Sequence, residues 1–283
     1  MRGSVADLIA LLDLESIEED LFRGRSPETA QQRVFGGQVA AQALVAAGRT
    51  VASERPVHSL HAYFLRPGDP AVPLIYEVDR VRDGRSFTTR RVVARQRNKP
   101  IFVMSGSFHV REPGFDHQDP MPDAPDPLSL PSIAERAAVD AQRWSTLRDE
   151  FGSIDVRFTG RPHEDQKEPA HVATTRAWMK VVEPLPDEEL LHVCLLAYLS
   201  DLTLLSVSLV PHGVRPFTGA VMMASLDHAL WFHRPFRADE WLLYDQVSPS
   251  ATGARGLAAG RIFSQSGAHV ATVMQEGLIR PIR

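Results

Sequence analysis

Ser59-Leu60-His61-Ala62-Tyr63-Phe64-Leu65-Arg66-Pro67 returns later in the chain as Ser225-Leu226-Asp227-His228-Ala229-Leu230-Trp231-Phe232-His233-Arg234-Pro235. Both copies open on Ser-Leu, carry His-Ala, and close on an aromatic residue, one further residue and Arg-Pro. The repeat divides the 283 residues into two related units, expected over 1–112 and 151–283. A polar group found in one copy and missing from the other then becomes a functional suspect.

The patterns around each copy agree. In the first unit a strand is expected over 17–23. Then comes a segment from Phe35 to Gly48 that is alanine-rich and apolar nearly all round, with Gln38 and Gln42 its polar positions. A helix without a polar face has to be buried on every side. Strands follow over 57–65, 74–81, 86–96 and 101–110, with Asp83-Gly84 and Asn98-Lys99 as hairpin turns. In the second unit 154–158 and 174–182 read as strands. Pro186-Asp187-Glu188-Glu189 starts a helix that runs to Asp201, and strands are expected over 219–234, 240–248, 253–265 and 268–280. Between the units, 113–131 is rich in proline and aspartate and reads as an extended linker. Residues 132–150 have helical spacing and read as an accessory helix. A buried helix wrapped by a curled antiparallel sheet, twice over, is an α+β tandem hotdog with its two sheets edge to edge.

The totals bound the function. Net charge is −4, which argues against a general nucleic-acid partner. The single cysteine, Cys194, excludes an internal disulfide and fits a reducing compartment. No targeting segment is legible, no apolar run reads as long enough to span a bilayer, and Arg280-Pro281-Ile282-Arg283 is not a peroxisomal address. Among the 11 histidines, the pairs His58/His61 and His228/His233 lie at odd spacings, so neither pair can chelate a metal from a strand. His61 and His228 look repeat-equivalent, which suggests a shared structural role. Arg80, Arg82, Arg85, Arg90, Arg91, Arg95 and Arg97 crowd one hairpin. They form either a solvated face or a landing surface for phosphates, and Arg255 is a similar candidate in the second unit.

Three differences separate the copies. The second buried helix ends on Asp201, where the helix dipole is negative and an apolar setting would raise a carboxyl pKa; the first helix has no carboxylate. Such an acid is either a surface residue past the last turn or a working group. Gln275 lies 41 residues beyond Arg234, and the same count from Arg66 reaches Ser107. Ser225 heads the second copy of the repeat.

Leu21-Phe22-Arg23-Gly24, Val34-Phe35-Gly36-Gly37-Gln38, His58 through Asp69, Lys99-Pro100-Ile101-Phe102, Ser200-Asp201-Leu202, Leu226-Asp227-His228, Trp231 through Phe236 and Gln275-Glu276-Gly277 together resemble the acyl-CoA thioesterase II family, double-hotdog enzymes of bacteria and peroxisomes. The resemblance covers nearly the whole chain. It implies hydrolysis of acyl-CoA without metal or cofactor, with an aspartate, a serine or threonine and a glutamine ordering the attacking water. The matching positions here are Asp201, Ser225 and Gln275. Bacterial members often carry threonine where this chain has Ser225. The resemblance also points to a cytoplasmic enzyme.

A thioester needs an oriented water, a proton acceptor and a donor to the oxyanion. Asp201 would take the proton, and Ser225 and Gln275 would hold the water. Backbone N–H groups at the start of the first helix, at Gly37 and Gln38, would bind substrate and steady the oxyanion. A covalent route through Ser225 is disfavoured because no G-x-S-x-G elbow occurs. Two other classes stay open: a hotdog enoyl-CoA hydratase or dehydratase, and a non-catalytic acyl-CoA-binding protein. Sheet edges that call for covering make a homo-oligomer plausible.

Overall fold

The computed structural model of the chain describes residues 3–27, 32–139, 149, 151–160, 173–214, 216 and 219–282. The elements are α1 (Val5–Leu12), β1 (Glu15–Glu18), β2 (Leu21–Gly24), α2 (Gly36–Gly48), β3 (Val57–Phe64), β4 (Leu74–Asp83), β5 (Phe87–Gln96), β6 (Lys99–His109), α3 (Ile133–Val139), β7 (Ile154–Phe158), β8 (Thr174–Val181), α4 (Glu189–Ser200), β9 (Val221–Ser225), β10 (Asp227–Phe232), β11 (Leu242–Thr252), β12 (Arg255–Ser264) and β13 (His269–Pro281). Among the described residues the strands form one sheet in the order β1-β2-β4-β5-β6-β3-β10-β13-β12-β11-β8-β7, with β9 also on β13. The two copies of the repeat are β3 and β10. They pair antiparallel at the centre, Leu60 opposite Leu230 and His61 opposite Ala229. That seam joins the units edge to edge, as the repeat predicts.

The sheet curls around α2 and α4. Residues Gly37 to Ala47 are buried without a break, as are His192 to Ser200. The helices lie antiparallel and close. A Cβ on Gly37 would stand 2.6 Å from the Tyr198 carbonyl oxygen, and one on Gly48 would stand 2.6 Å from Leu190. Glycine at both ends of α2 therefore sets the spacing at which the two helices meet. Gln42, fully buried, ties α2 to its surroundings. Its amide nitrogen donates to the carbonyls of Leu11 and Arg25, and its oxygen accepts from the Tyr76 hydroxyl at 2.7 Å. Gln42→Leu strands that buried hydroxyl and the Leu11 carbonyl, while the Arg25 carbonyl keeps the Gln38 amide. It is expected to lower stability by about 3 kcal/mol in urea denaturation, and a change within experimental error would show that the network contributes nothing.

Several expectations change. The strand expected over 17–23 is two short strands, because Asp20 takes a left-handed φ of 59° and turns the chain. The strand expected from 219 to 234 breaks at Leu226, whose N–H donates to the Glu276 carbonyl while its own carbonyl accepts from the Phe64 N–H, each at 2.9 Å. The chain there leaves its pairing with the far end of β13 and enters the central seam. Segment 189–212 is long and apolar enough to span a membrane, contrary to the sequence reading, but most of it is buried inside the fold. It comprises α4 and a 3-10 stretch, Leu204–His212, that hydrophobic spacing did not disclose. Of the accessory helix expected over 132–150, only 132–139 and 149 lie within the described residues, and of the loop between β7 and β8 only its flanks.

His61 and His228 are not equivalent. His228 is fully buried and its Nε2 lies 2.8 Å from the Ser200 hydroxyl. His61 is exposed and meets the Trp231 ring edge-on at 5.0 Å. The second copy carries an extra residue on each side of His-Ala, and the one between His-Ala and Arg-Pro shifts His228 by one relative to His61, which on a strand reverses the face.

The arginine hairpin is also not uniformly solvated. Arg91 pairs with Asp79 and Arg95 with Glu77 at the surface. Arg90 is 2% exposed. Its guanidinium reaches Asp83 at 2.7 Å, the Thr50 hydroxyl at 2.8 Å and the Thr50 carbonyl at 3.1 Å.

Candidate active site

Asp201 caps the C-terminal end of α4. A carboxylate there repels the helix's own carbonyl dipoles, so its partners must come from elsewhere. They come from three elements. Gln275, on β13, is fully buried and its amide nitrogen donates to Asp201 Oδ1 at 2.6 Å and to Ser225 Oγ at 3.1 Å. Ser225, at the end of β9, sits opposite Gly277 on β13, and its hydroxyl also hydrogen-bonds the carboxylate. The third partner is the backbone N–H of Gly37 in the first turn of α2. The α2 N-terminus has no side-chain cap of its own, so the second unit's aspartate accepts one of its free amides.

Burial raises the Asp201 pKa from 3.8 to about 6, against the opposing pull of its hydrogen bonds from Gln275, Gly37 and Ser225. A carboxylate of that kind is ionised at neutral pH yet basic enough to take a proton. The Gln275 oxygen is buried with no protein partner and is left as an acceptor beside the carboxylate. Gly36 keeps the approach open: a Cβ there would lie 2.7 Å from Asp201 Oδ2 and 3.0 Å from the Phe64 ring.

Asp201, Ser225 and Gln275 therefore meet in one cluster. Gly37 joins them, but with its amide directed at the base, where the sequence reading gave it to the oxyanion. Gln38 stands apart; its amide donates to the Arg25 carbonyl and the Ser26 hydroxyl. Behind the cluster, the Tyr244 hydroxyl donates to the Ser200 carbonyl at 3.0 Å. The Ser200 hydroxyl donates to the Ala197 carbonyl. These contacts fix the last turn of α4 from which Asp201 projects. Sequence reasoning missed Tyr244, a tyrosine in an apolar strand with nothing to mark its partner.

The register corrects the comparison between the copies. Met274 lies opposite Ala229 and Ser105 opposite His61. Counted from the shared Arg-Pro, Gln275 thus corresponds to Gly106, not Ser107. Opposite Gly106 on β5 is Arg90, and opposite Gln275 on β12 is Ala258. The foot of α2 in the first unit is filled by a buried guanidinium, and the foot of α4 in the second holds the carboxylate, hydroxyl and amide.

Known proteins resemble this chain in sequence and fold. Residues 149–278 match the family described as acyl-CoA thioesterase, and residues 25–109 match the acyl-CoA thioesterase N-terminal domain. Acyl-CoA thioesterase 2 of Haemophilus influenzae is 39% identical, covering 99% of both chains. Human acyl-coenzyme A thioesterase 8 is 39% identical, covering 95% of this chain and 88% of its own. The crystal structure of the acyl-CoA thioesterase II TesB2 from Mycobacterium marinum superposes with a TM-score of 0.81 at 47% identity, over 96% of this chain and 97% of that one. The fold is a double hotdog. By sequence identity over nearly its full length, the chain belongs to the acyl-CoA thioesterase family.

Proposed function

We propose that the chain hydrolyses acyl-CoA to a free acid and CoA by direct attack of a water held at Asp201. The observation that carries this is the convergence of Gln275 and Ser225 on one raised-pKa carboxylate. The water donates one hydrogen to Asp201 and the other to the unpaired Gln275 oxygen, and the Ser225 hydroxyl restricts its position. As the water's oxygen attacks the thioester carbon, its proton passes to Asp201. The carboxyl loses its charge and with it its hold on the Gly37 N–H, which then serves the developing oxyanion. Collapse of the intermediate breaks the carbon–sulfur bond, and the thiolate leaves with the proton returned from Asp201.

Gly37 remains a substrate-facing group on this reading, and Gln38 acts by anchoring the helix start to Arg25 and Ser26. The units at 1–112 and 151–283 divide the labour, with 113–150 bridging them. A cytoplasmic location fits the lone cysteine, and exposed Tyr63 and Leu65 beside the seam favour a homo-oligomer. No nucleic-acid partner is proposed for a chain of net charge −4.

The test is thiol release from acyl-CoA as a function of pH. Asp201 works only when ionised, so kcat/KM should rise with pH through a single limb centred at about 6. A limb at the ordinary carboxylate value, or none, would show that the buried acid is not the base. Crotonyl-CoA hydration without CoA release would favour the hydratase class, and saturable binding without turnover the sensor.

A further inference from the structure

Two side chains outside the catalytic cluster grip the residues on either side of Asp201. On one side His228, on β10, meets the Ser200 hydroxyl at 2.8 Å. On the other Gln246, on β11, donates its amide to the Thr203 hydroxyl at 2.8 Å. Thr203 opens the 3-10 stretch, and its carbonyl accepts from the Ser206 hydroxyl and N–H, so the grip at Thr203 fixes the chain beyond the carboxylate. The Ser200 hydroxyl already donates to the Ala197 carbonyl. It therefore accepts from His228, whose Nε2 carries the proton. Burial pushes the His228 pKa down to about 3, so the ring is neutral and has only that one N–H to give.

Both side chains sit where folding alone favours hydrocarbon. His228 is fully buried and Gln246 is 1% exposed. His228 Nδ1 and Gln246 Oε1 have no protein partner, as Gln275 Oε1 has none. A polar atom left unpaired in a dry interior opposes folding. The first unit shows the apolar alternative. Counted back from the shared Arg-Pro, His228 corresponds to Leu60. Leu242-Leu243-Tyr244-Asp245-Gln246 corresponds to Leu74-Ile75-Tyr76-Glu77-Val78, which puts Val78 in the place of Gln246. Leu60 and Val78 are both buried. The unit without the carboxylate fills these positions with apolar side chains. The unit that holds it has polar ones, each turning one atom toward a neighbour of Asp201 and leaving the other unsatisfied.

We propose that His228 and Gln246 are positioning residues for the hydrolysis: by fixing Ser200 and Thr203 they aim the Asp201 carboxylate and keep it within reach of Gln275 and the Gly37 N–H. The proposal rests on the thioesterase reading. The carboxylate takes its own hydrogen bonds from Gln275, Gly37 and Ser225, so His228 and Gln246 act on it through the turn. A base displaced by a fraction of an ångström slows proton transfer without weakening the binding of substrate.

The experiment installs the first unit's own side chains in the full chain, as His228→Leu and Gln246→Val. Thr203→Val and Thr203→Ser form a second pair, which removes and restores the hydroxyl that Gln246 holds. Thiol release from decanoyl-CoA is measured across pH, beside urea denaturation. His228→Leu, Gln246→Val and Thr203→Val should each lower kcat by roughly tenfold to a hundredfold, with KM little changed. Thr203→Ser should keep the wild-type kcat. In the three impaired variants the pH limb of kcat/KM should move above about 6, because looser hydrogen bonds from Gln275 and Gly37 no longer offset the burial of the carboxylate. The urea midpoint of His228→Leu and Gln246→Val should hold or rise, since each removes an unpaired buried atom.

Unchanged kcat in His228→Leu and Gln246→Val, with the wild type active, overturns the positioning role and leaves the thioesterase reading standing. So does a loss of kcat that comes with a lower urea midpoint and a limb still at about 6, which marks a contact that serves stability alone. A wild type that releases no thiol from any acyl-CoA overturns both readings. Should His228→Leu fail to fold, Gln246→Val and the Thr203 pair decide.

Discussion

Asp201→Asn is expected to lower kcat for acyl-CoA hydrolysis by about a hundredfold or more and to make the protein more stable at neutral pH. The first effect follows from loss of the proton acceptor; Gln275, Ser225 and Gly37 can still place a water, but nothing takes its proton. The second follows from linkage. The folded chain keeps the Asp201 proton up to about pH 6, while the unfolded chain releases it near 3.8. The fold therefore takes up a proton between those values. The benefit of the protonated acid is complete below pH 3.8 and is lost as pH rises through about 6. Above that, the ionised buried carboxylate opposes folding by on the order of 2–3 kcal/mol, and an amide does not. Urea denaturation at pH near 7.5 and near 4 should show the variant more stable at the first and nearly level at the second. Near-normal kcat would remove Asp201 from the chemistry. A variant less stable at both pH values would mean that the carboxylate's hydrogen bonds outweigh its burial.

Gly260→Ala is expected to destabilise the fold by about 3 kcal/mol and to reduce activity in the molecules that remain folded. A Cβ at Gly260 would stand 2.2 Å from Cε2 of the Tyr244 ring. That ring is fully buried and its hydroxyl holds the Ser200 carbonyl, so it has little room to yield. Any shift it does make moves the last turn of α4 and the carboxylate that projects from it. Thermal or urea unfolding measures the first effect and kcat on the soluble fraction the second. A variant as stable as the parent would show that the ring moves freely, and the Tyr244–Ser200 contact would then carry no positioning role.

Much of this was legible because it depends on local pattern. Two segments too apolar to have a wet side became the central helices, Asp83-Gly84 became a hairpin end, and the repeated Arg-Pro motif located the seam. Asp201 stood out because an acid at that end of a greasy helix is electrostatically anomalous. The rest depends on register, which one sequence does not carry. The extra residue between His228 and Arg234 turned that side chain inward while His61 faced out. Bulges displaced the count that matched Gln275 to Ser107 instead of Gly106. Arg90 read as one of many surface cations, since alternation along a hairpin does not say which face is wet. The Gly37 amide found its acceptor in the other unit, a contact that no spacing within either unit encodes.

The buried guanidinium of Arg90 has a consequence for how much work one polypeptide can do. It occupies the pole of the first unit that corresponds to the proposed reactive pole of the second, so on that proposal the described residues form one workplace, and saturating a chain is expected to consume one equivalent of substrate analogue. Installing an acid at that closed pole would not open a second, because the cation would pair with it. Evicting the cation would in turn leave the Thr50 carbonyl without the guanidinium that it accepts from. The closed half thereby contributes the Gly37 amide and a wall against which the working half is braced.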